Sequence, residues 1–556
     1  MKRNTIGFLL FVLLTTLPAV VMAQEPDSNQ DPISTSDQDI QVPEPYLERM
    51  RRISTVMELS LQESIRMALS NNLEIAIENY NEDMNREQII KTRGFYDPTL
   101  GFTVGWNSTK RPTTSVLDSG GGLLVNVNDG FTFNTNLNQN VIGGGVLTVL
   151  WNNGRRETNS QFFSVNPSYD TNFNVSFTQP LWRGFGKKTA TERQIKIANL
   201  DTKISDAQFK QRVVEIIQQV QNQYWEMVFA VENYDTQRKS VELAIVQHRN
   251  NRKRVEIGVM APIEITSSAA EVATREQSLI QSEVQIINAQ NGLKRLLAPD
   301  PSAAIWNLTL IPVDRPRLRE VSLTLQEAID TSIRNRPELE TIKLQMEQNE
   351  VDHRFYQREG KPSLNLRANF GSIGTSGTVF QTVSGEIFER PTQIPDPDDP
   401  RFGTFGTAWN QAFGFDFTNW GIFFDVTVPL RNRSNDADLA MVAISERRLN
   451  SQIKNQQQMV IVEVRNAYET IATRKKSLEA ARAASRLAQE QLDGENKRFE
   501  AGLSTNFEVL RFQRDLSTNQ VSELRAQVDY ELAVTALQKA MYTIIDENDI
   551  LSARGN

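Results

Sequence analysis

The sequence contains no cysteine, only two histidines and, outside its N-terminal segment, no apolar run long enough to cross a membrane as a helix. The first absence excludes disulfides, thiol chemistry and a cysteine-borne lipid anchor. The second leaves His248 and His353, each in a helical pattern, with no cysteine to complete a metal centre and no support for an acid–base role. The third excludes a bundle of spanning helices, because each would need about 20 mostly apolar residues. Blocks of one charge sign are missing too. Sixty Lys and Arg stand dispersed against 68 Asp and Glu, for a net charge of -8, so nucleic acid is not an expected partner. The glycine runs Gly120–Gly122 and Gly143–Gly145 lack the Lys-Ser/Thr of a phosphate loop and read as turns, so no cofactor is implied.

What is present starts with Lys2 and Arg3, an apolar stretch from Gly7 to Val21 and the small-residue ending Val21-Met22-Ala23. That layout predicts a secretory signal peptide over 1–23, cleaved before Gln24. Residues 24–58 are largely polar, acidic and proline-containing, and predict a flexible or wrapping arm.

An internal duplication organises the rest. Leu61-Gln62-Glu63-Ser64-Ile65 returns as Leu325-Gln326-Glu327-Ala328-Ile329, and Val220, Tyr224, Arg254, Glu256 and Gly258 return as Val464, Tyr468, Arg498, Glu500 and Gly502. One structural unit is therefore expected twice, over 59–297 and 323–541, joined by 298–322 and followed by a tail at 542–556. Pro299 to Pro316, within the joining segment, is expected around the middle of the helical region.

Each unit reads as helix, strand region, long helix and shorter helix. Ser60 and Thr324, with Glu63 and Glu327 three residues on, form capping boxes that start helices over about 61–92 and 325–358. Period-two alternation follows in Leu100 to Trp106, Phe173 to Gln179, Leu364 to Phe370 and Phe423 to Val428. The second face of these strands is Asn, Thr, Ser and Gly in the first unit, which suits a wet lumen behind an apolar outer face. Trp106, Trp151, Trp182, Trp409 and Trp420 lie in or beside these regions, as an interfacial belt would require. Phe131 to Leu137 and Val146 to Trp151 add strand-like sequence that would either lengthen the barrel strands or form a lid. Pro391 to Pro400 reads as an exposed acidic loop. Four principal strands cannot close a barrel, since unpaired edges in hydrocarbon leave backbone groups unsatisfied, so the chain is expected to associate.

From about Ala190 to Ile257 and from about Asp436 to Ala501 there is no internal proline. A helix of ~65 residues reaches roughly 100 Å. Val213, Ile217, Val220, Tyr224, Met227 and Val231 keep a spacing of four and three, as do Ile461, Val464, Tyr468 and Ile471, which predicts coiled-coil-like packing. Both rods stop at matched sequences centred on Gly258 and Gly502. Glycine there can take the left-handed conformation that ends a helix, and Pro262 suits the start of the next, so each site is a tight helical hairpin.

In this order the sequence resembles the TolC-type outer-membrane efflux protein family over about 59–541. The likeness rests on the duplication, the paired Arg-x-Glu-x-Gly turns, the Glu264-Ile265 and Glu508-Val509 that follow them, and the approach Phe177-Thr178-Gln179-Pro180-Leu181 to the long helix. The resemblance implies an α/β membrane protein. It would be a homotrimer whose chains each give four strands to a 12-stranded transmembrane β-barrel, continuous with a 12-helix periplasmic α-barrel. It also implies a barrel seated in outer-membrane lipid, a periplasmic adaptor protein and an inner-membrane pump or ABC-type transporter, in efflux or type I secretion.

Carried over to this chain, the adaptor-facing hairpin tips are Gly258, Val259 and Met260 with Gly502, Leu503 and Ser504. The candidate entrance gate is Glu264, Glu508 and Arg511. Family members commonly place acidic residues at, and one turn after, the second-tip carboxylate; here Glu508 takes the first position and Arg511 stands at the second. Three acids about an axis repel, whereas Glu508 and Arg511 at i,i+3 attract. A soluble periplasmic coiled-coil scaffold or adaptor would also use the rods, but gives the strand regions and their tryptophans no role.

Overall fold

A computed structural model of the chain describes residues 42–114, 124–160, 163–186, 189–316, 321–382 and 393–547. The expected signal peptide, the start of the arm, Gly120–Gly122 and the tail beyond residue 547 lie outside them. The first unit, with the end of the arm, comprises α1 (Tyr46–Ile53), β1 (Val56–Leu59), α2 (Leu61–Asn71), α3 (Leu73–Arg93), β2 (Thr99–Pro112), β3 (Val125–Val141), β4 (Gly145–Thr158), β5 (Val165–Pro180), α4 (Ala190–Glu256) and α5 (Ile263–Leu297). The joining segment contributes β6 (Thr309–Pro312). The second unit comprises α6 (Leu325–Asn335), α7 (Pro337–Glu359), β7 (Ser363–Thr382), β8 (Gln393–Pro395), α8 (Phe405–Gly414), β9 (Thr418–Thr427), α9 (Arg433–Glu500) and α10 (Asn506–Met541).

Both capping boxes form, through Ser60 with Glu63 and Thr324 with Glu327. The single helices expected after them are each two. Asn72 interrupts the first by turning its side chain to accept from the Glu74 and Ile75 amides. In the second, Pro337 starts α7 and pushes Arg336 out of the helical region. These breaks are used alike in the two units. Asn72 Nδ2 donates to the Leu296 carbonyl at 3.0 Å, and Arg336 Nε to the Ala540 carbonyl at 3.0 Å, so each break is pinned to the end of the shorter hairpin helix.

The rods α4 and α9 run for 67 and 68 residues, about 100 Å each at helical rise. The wall they build is four helices across. α4 packs between α5 and α10 toward the hairpins and between α3 and α7 toward the sheet, while α9 lies beyond α10 and α7. The expected seam of α4 is buried: Ile217, Val220, Tyr224, Met227 and Val231 sit in one cluster with Leu293 and Leu297 of α5. Each such aliphatic side chain contributes about 1.5–3 kcal/mol. Tyr224 adds a polar tie, donating to the Leu59 carbonyl at 3.1 Å, just before the first capping box. Tyr468 repeats it on the Leu323 carbonyl at 3.1 Å. Those two bonds explain why a tyrosine recurs in an otherwise aliphatic seam.

The end of the arm is ordered structure. Tyr46 is buried and β1 pairs in parallel with β6, from Val56↔Thr309 to Leu59↔Pro312. The average polarity of the arm hides the apolar Val56 and Met57 that, with Leu59 at the start of the first unit, make this possible.

The sheet departs from the four strands expected of each chain. Six long strands run in the order β2-β3-β4-β5-β7-β9, and short β8 adds to the far end of β7. The two strand-like segments left open between lengthened strands and a lid are β3 and β4, inserted between β2 and β5, so the count of twelve strands for three chains does not follow. Paired residues share a face. Leu100, Phe102, Val104 and Trp106 lie with Leu137, Phe133, Val149, Trp151, Phe173, Phe177, Phe370, Trp420 and Phe424 on one side; Thr103, Asn134, Asn136, Asn152, Asn172, Asn174 and Asn369 lie on the other. Much of the apolar side is exposed in the single chain, including Phe102, Trp106 and Trp420.

One part of it is covered by α8, following the acidic loop of which β8 is part. Ala408 and Ala412 are fully buried against the small residues Ser372, Gly374 and Ser376. A Cβ at Gly374 would fall 1.9 Å from the Ala408 carbonyl oxygen, so the close approach requires glycine. Trp151 and Trp409 meet in this contact with their rings tilted at 57° and centroids 5.5 Å apart. The tryptophans therefore divide, two in ordinary packing and Trp106, Trp182 and Trp420 exposed.

Candidate entrance at the hairpin tips

The turns end both rods by the same backbone device. The Gly258 amide donates to the Val255 carbonyl and the Val259 amide to the Arg254 carbonyl, and Gly502 and Leu503 repeat this on Phe499 and Arg498. This double bond pattern needs a left-handed residue at its centre. Gly258 and Gly502 supply it at φ 78° and 76°. No atom lies within 4 Å of where a Cβ would stand, so the requirement is conformational and not steric. The next helices start with Ile263, after Pro262, and with Asn506, after Thr505, whose hydroxyl accepts from the Glu508 amide.

The two hairpins are tied together. Arg254 of the first lies over the Phe499 ring of the second, 4.3 Å from its centroid. Glu264 accepts from the Asn506 side-chain amide at 2.9 Å, and the Asn506 oxygen accepts from Gln247 at 2.9 Å and Asn251 at 2.8 Å. Asn251 and Asn506 are buried. Buried amides that satisfy one another fix a register, because any slip leaves them unpaired.

Further along, Arg275 of α5 is buried and donates to the Glu271 carboxylate at 2.9 Å, to the Ser240 carbonyl at 2.9 Å and to the Leu510 carbonyl at 3.3 Å. Arg514 of α10 reaches the other Glu271 oxygen at 2.7 Å. Burial alone would raise the Glu271 pKa; the two guanidiniums outweigh it and hold the carboxyl below the usual glutamate value.

The residues selected from sequence fall into three environments. Val259 and Leu503 are exposed at the extreme tips. Met260 instead packs with the small core of Leu492, Phe499, Val509 and Leu516, and Ser504 donates to Glu495. Glu508 pairs with Arg511 at 2.7 Å, and Arg511 also lies over Phe512. Glu264 is not part of that pair, being committed to Asn506. Sequence reasoning missed Ile257, Ile263 and Phe507, which with Val259 and Leu503 form an apolar tip exposed by 68% at Ile263 to 80% at Leu503. It also missed Gln247, Asn251, Arg275 and Asn506; polar residues on the buried sides of the hairpin helices were the available signal. His248 meets the Ser268 hydroxyl at 2.9 Å, and His353 lies beside Gln357.

A duplicated chain in which a two-faced antiparallel sheet continues into long helical hairpins defines a class of export channel. The family model for the outer membrane efflux protein matches residues 64–298 and 328–541. The chain belongs to that family: it is an outer-membrane efflux channel and not an enzyme. No curated protein matches it by sequence. Among solved structures, the Campylobacter jejuni CmeC outer membrane channel shares 14% identity at a TM-score of 0.60, over 88% of this chain and 89% of that one. A membrane protein from Pseudomonas aeruginosa gives 16% and 0.60, over 88% and 94%. The open state of the Neisseria gonorrhoeae MtrE outer membrane channel gives 17% and 0.55, over 86% and 88%. These likenesses are of fold.

Proposed function

We propose that three copies assemble into one duct, seated in the outer membrane by its sheet and crossing the periplasm as a twelve-helix tunnel, three walls of four helices. A periplasmic adaptor protein would dock on the tips, and an inner-membrane pump or ABC-type transporter would supply the cargo. The observation that carries this reading is that the wall has two unfinished sides. Strands β2 and β9 are the free edges of the long sheet among the described residues. Apolar side chains lie exposed on the matching flanks: Ile77, Tyr80 and Met84 of α3 with Ile280, Val284 and Ile287 of α5, against Met459 and Val462 of α9. Edges and stripes of that kind are covered by a neighbouring copy. The exposed apolar tips are the surface offered to the adaptor.

At the entrance, Glu508 and Arg511 form a charged ring held by ion pairs, while Glu264 holds the two hairpins of one chain together through Asn506. Planar-bilayer recording tests both levels. The full-length protein forms pores, and Arg511→Ala, by freeing three carboxylates, raises cation selectivity. Pores whose conductance and selectivity are the same in the variant would remove the gate; no pores at all would remove the duct.

A further inference from the structure

We propose that the β3–β4 hairpin is part of the barrel wall, and that β2 of one copy pairs with β9 of the next to close an eighteen-stranded barrel. The proposal rests on the trimeric reading above and changes what the trimer encloses. The pairing is continuous where a lid would break it. β2 meets β3 from Thr99↔Asn138 to Pro112↔Val125, β3 meets β4 from Asn128↔Thr158 to Val141↔Gly145, and β4 meets β5 from Val146↔Thr178 to Arg156↔Ser168, all without a shift of register. β2 and β5 are therefore separated by two whole strands.

The hairpin also carries the chemistry of a wall. Phe131, Leu137 and Val149 continue the apolar face of β2 and β5, with Phe133 and Trp151 of the same face packed under Phe405 and Trp409 of α8, and Asn134, Asn136, Asn138 and Asn152 continue the polar face. A lid in water has no need of a face that matches its neighbours in lipid. A strand with hydrocarbon on one side and a wet lumen on the other needs this alternation along its length.

Length and placement agree. β3 has 17 residues and β4 has 14, about 46–56 Å at the usual rise, against an apolar band about 25 Å tall. Their turn lies at the end from which the rods leave. The Gly143 carbonyl accepts from the Gly186 amide at 3.1 Å and from Gln179 Nε2 at 3.0 Å, and a Cβ on Gly144 would stand 2.5 Å from the Gly184 carbonyl oxygen. The hairpin thus spans the full height of the sheet and is locked at its base. At a strand spacing of about 4.8 Å and a tilt of about 40°, eighteen strands enclose a barrel about 36 Å across and twelve about 24 Å. Twelve helices at about 8–10 Å spacing give a ring of comparable circumference, so the wider barrel can stand on the tunnel without a step. The outer exit is then wider than four strands per chain would give, and lined chiefly by neutral amides.

Because the chain has no cysteine, single cysteines can read each face in the full-length protein reconstituted in lipid vesicles. Asn136→Cys and Leu137→Cys report on β3, and Thr103→Cys and Phe102→Cys on β2, each treated with a membrane-impermeant maleimide. The proposal predicts modification about tenfold faster at Asn136→Cys than at Leu137→Cys, matching the contrast between Thr103→Cys and Phe102→Cys, because lipid shields every second residue. Equal modification of the two β3 positions, with the β2 contrast intact, would overturn the wider wall and leave the trimeric barrel standing. Loss of the contrast in β2 as well would sink the barrel and the proposal with it. Counting strands in a density map of the trimer gives a second reading: eighteen supports the proposal and twelve overturns it.

Discussion

The rods α4 and α9 are the same element used twice, yet α4 is covered on both flanks and α9 on one. Their surfaces differ accordingly. Met459 and Val462 of α9 are about half exposed, and the corresponding positions of α4 hold Glu215 and Gln218. The duplicated seams, Val220 with Tyr224 and Val464 with Tyr468, hold each chain together; in the proposed trimer the unduplicated apolar residues of α9 face the neighbouring copy. A repeat placed twice in one wall takes up two unequal positions, and in the proposed trimer the differences between its copies show where the next copy docks.

The sharpest way to break this comparison is to charge the edge rod. Val462→Asp should cost about 3 kcal/mol where a neighbour covers it, or roughly a hundredfold in trimer formation. Gln218→Asp at the matching place in α4 should leave the trimer intact. Mass photometry of both in detergent checks this, and equal behaviour would remove the distinction between central and edge rods.

A smaller effect is expected where the hairpins are tied. Arg275→Ala strips the buried Glu271 of one of its two guanidiniums, at a local cost of about 3 kcal/mol. Asn519, which takes this position in the second unit, bonds the Asp515 carbonyl of its own helix, so Asn519→Ala should be close to neutral. Hydrogen exchange should accelerate in α5 and α10 in the first variant and remain at its parent rate in the second. The same tie has a pH window. Glu271 has its pKa lowered in the fold, so its contribution is complete above the ordinary glutamate range, near 4.3, and is lost only as pH falls below that range. Exchange in α5 that rose already at neutral pH would contradict the assignment.

The smallest effects belong to the tips. Gly258→Ala and Gly502→Ala meet no obstacle but must hold a positive φ, at about 1 kcal/mol each. Similar losses in the two, read by chemical denaturation, would confirm that the turns are equivalent even though the rods are not.

Much of this architecture was legible in the residues. The capping boxes, the proline-free rods and the paired glycines each rest on local physics that a sequence displays directly. What was not legible depends on long-range partners. Nothing in Phe131 to Leu137 says which strands flank it until β2 and β4 are found on either side. The split of the first helix of each unit was signalled by Pro337 but only weakly by Asn72. At the candidate entrance, the Glu508–Arg511 pair follows from spacing within one helix, whereas Glu264, Asn506, Gln247 and Asn251 meet from three helices. Their meeting emerges only when the hairpins are packed side by side.

The central claim, that this chain is one third of a hollow export duct, is tested most directly by electron microscopy of the full-length protein purified from outer membranes in mild detergent. The account predicts a three-fold hollow particle longer than about 100 Å, the length of one rod, with a detergent belt at one end. Compact particles, single chains or particles without a belt would contradict it.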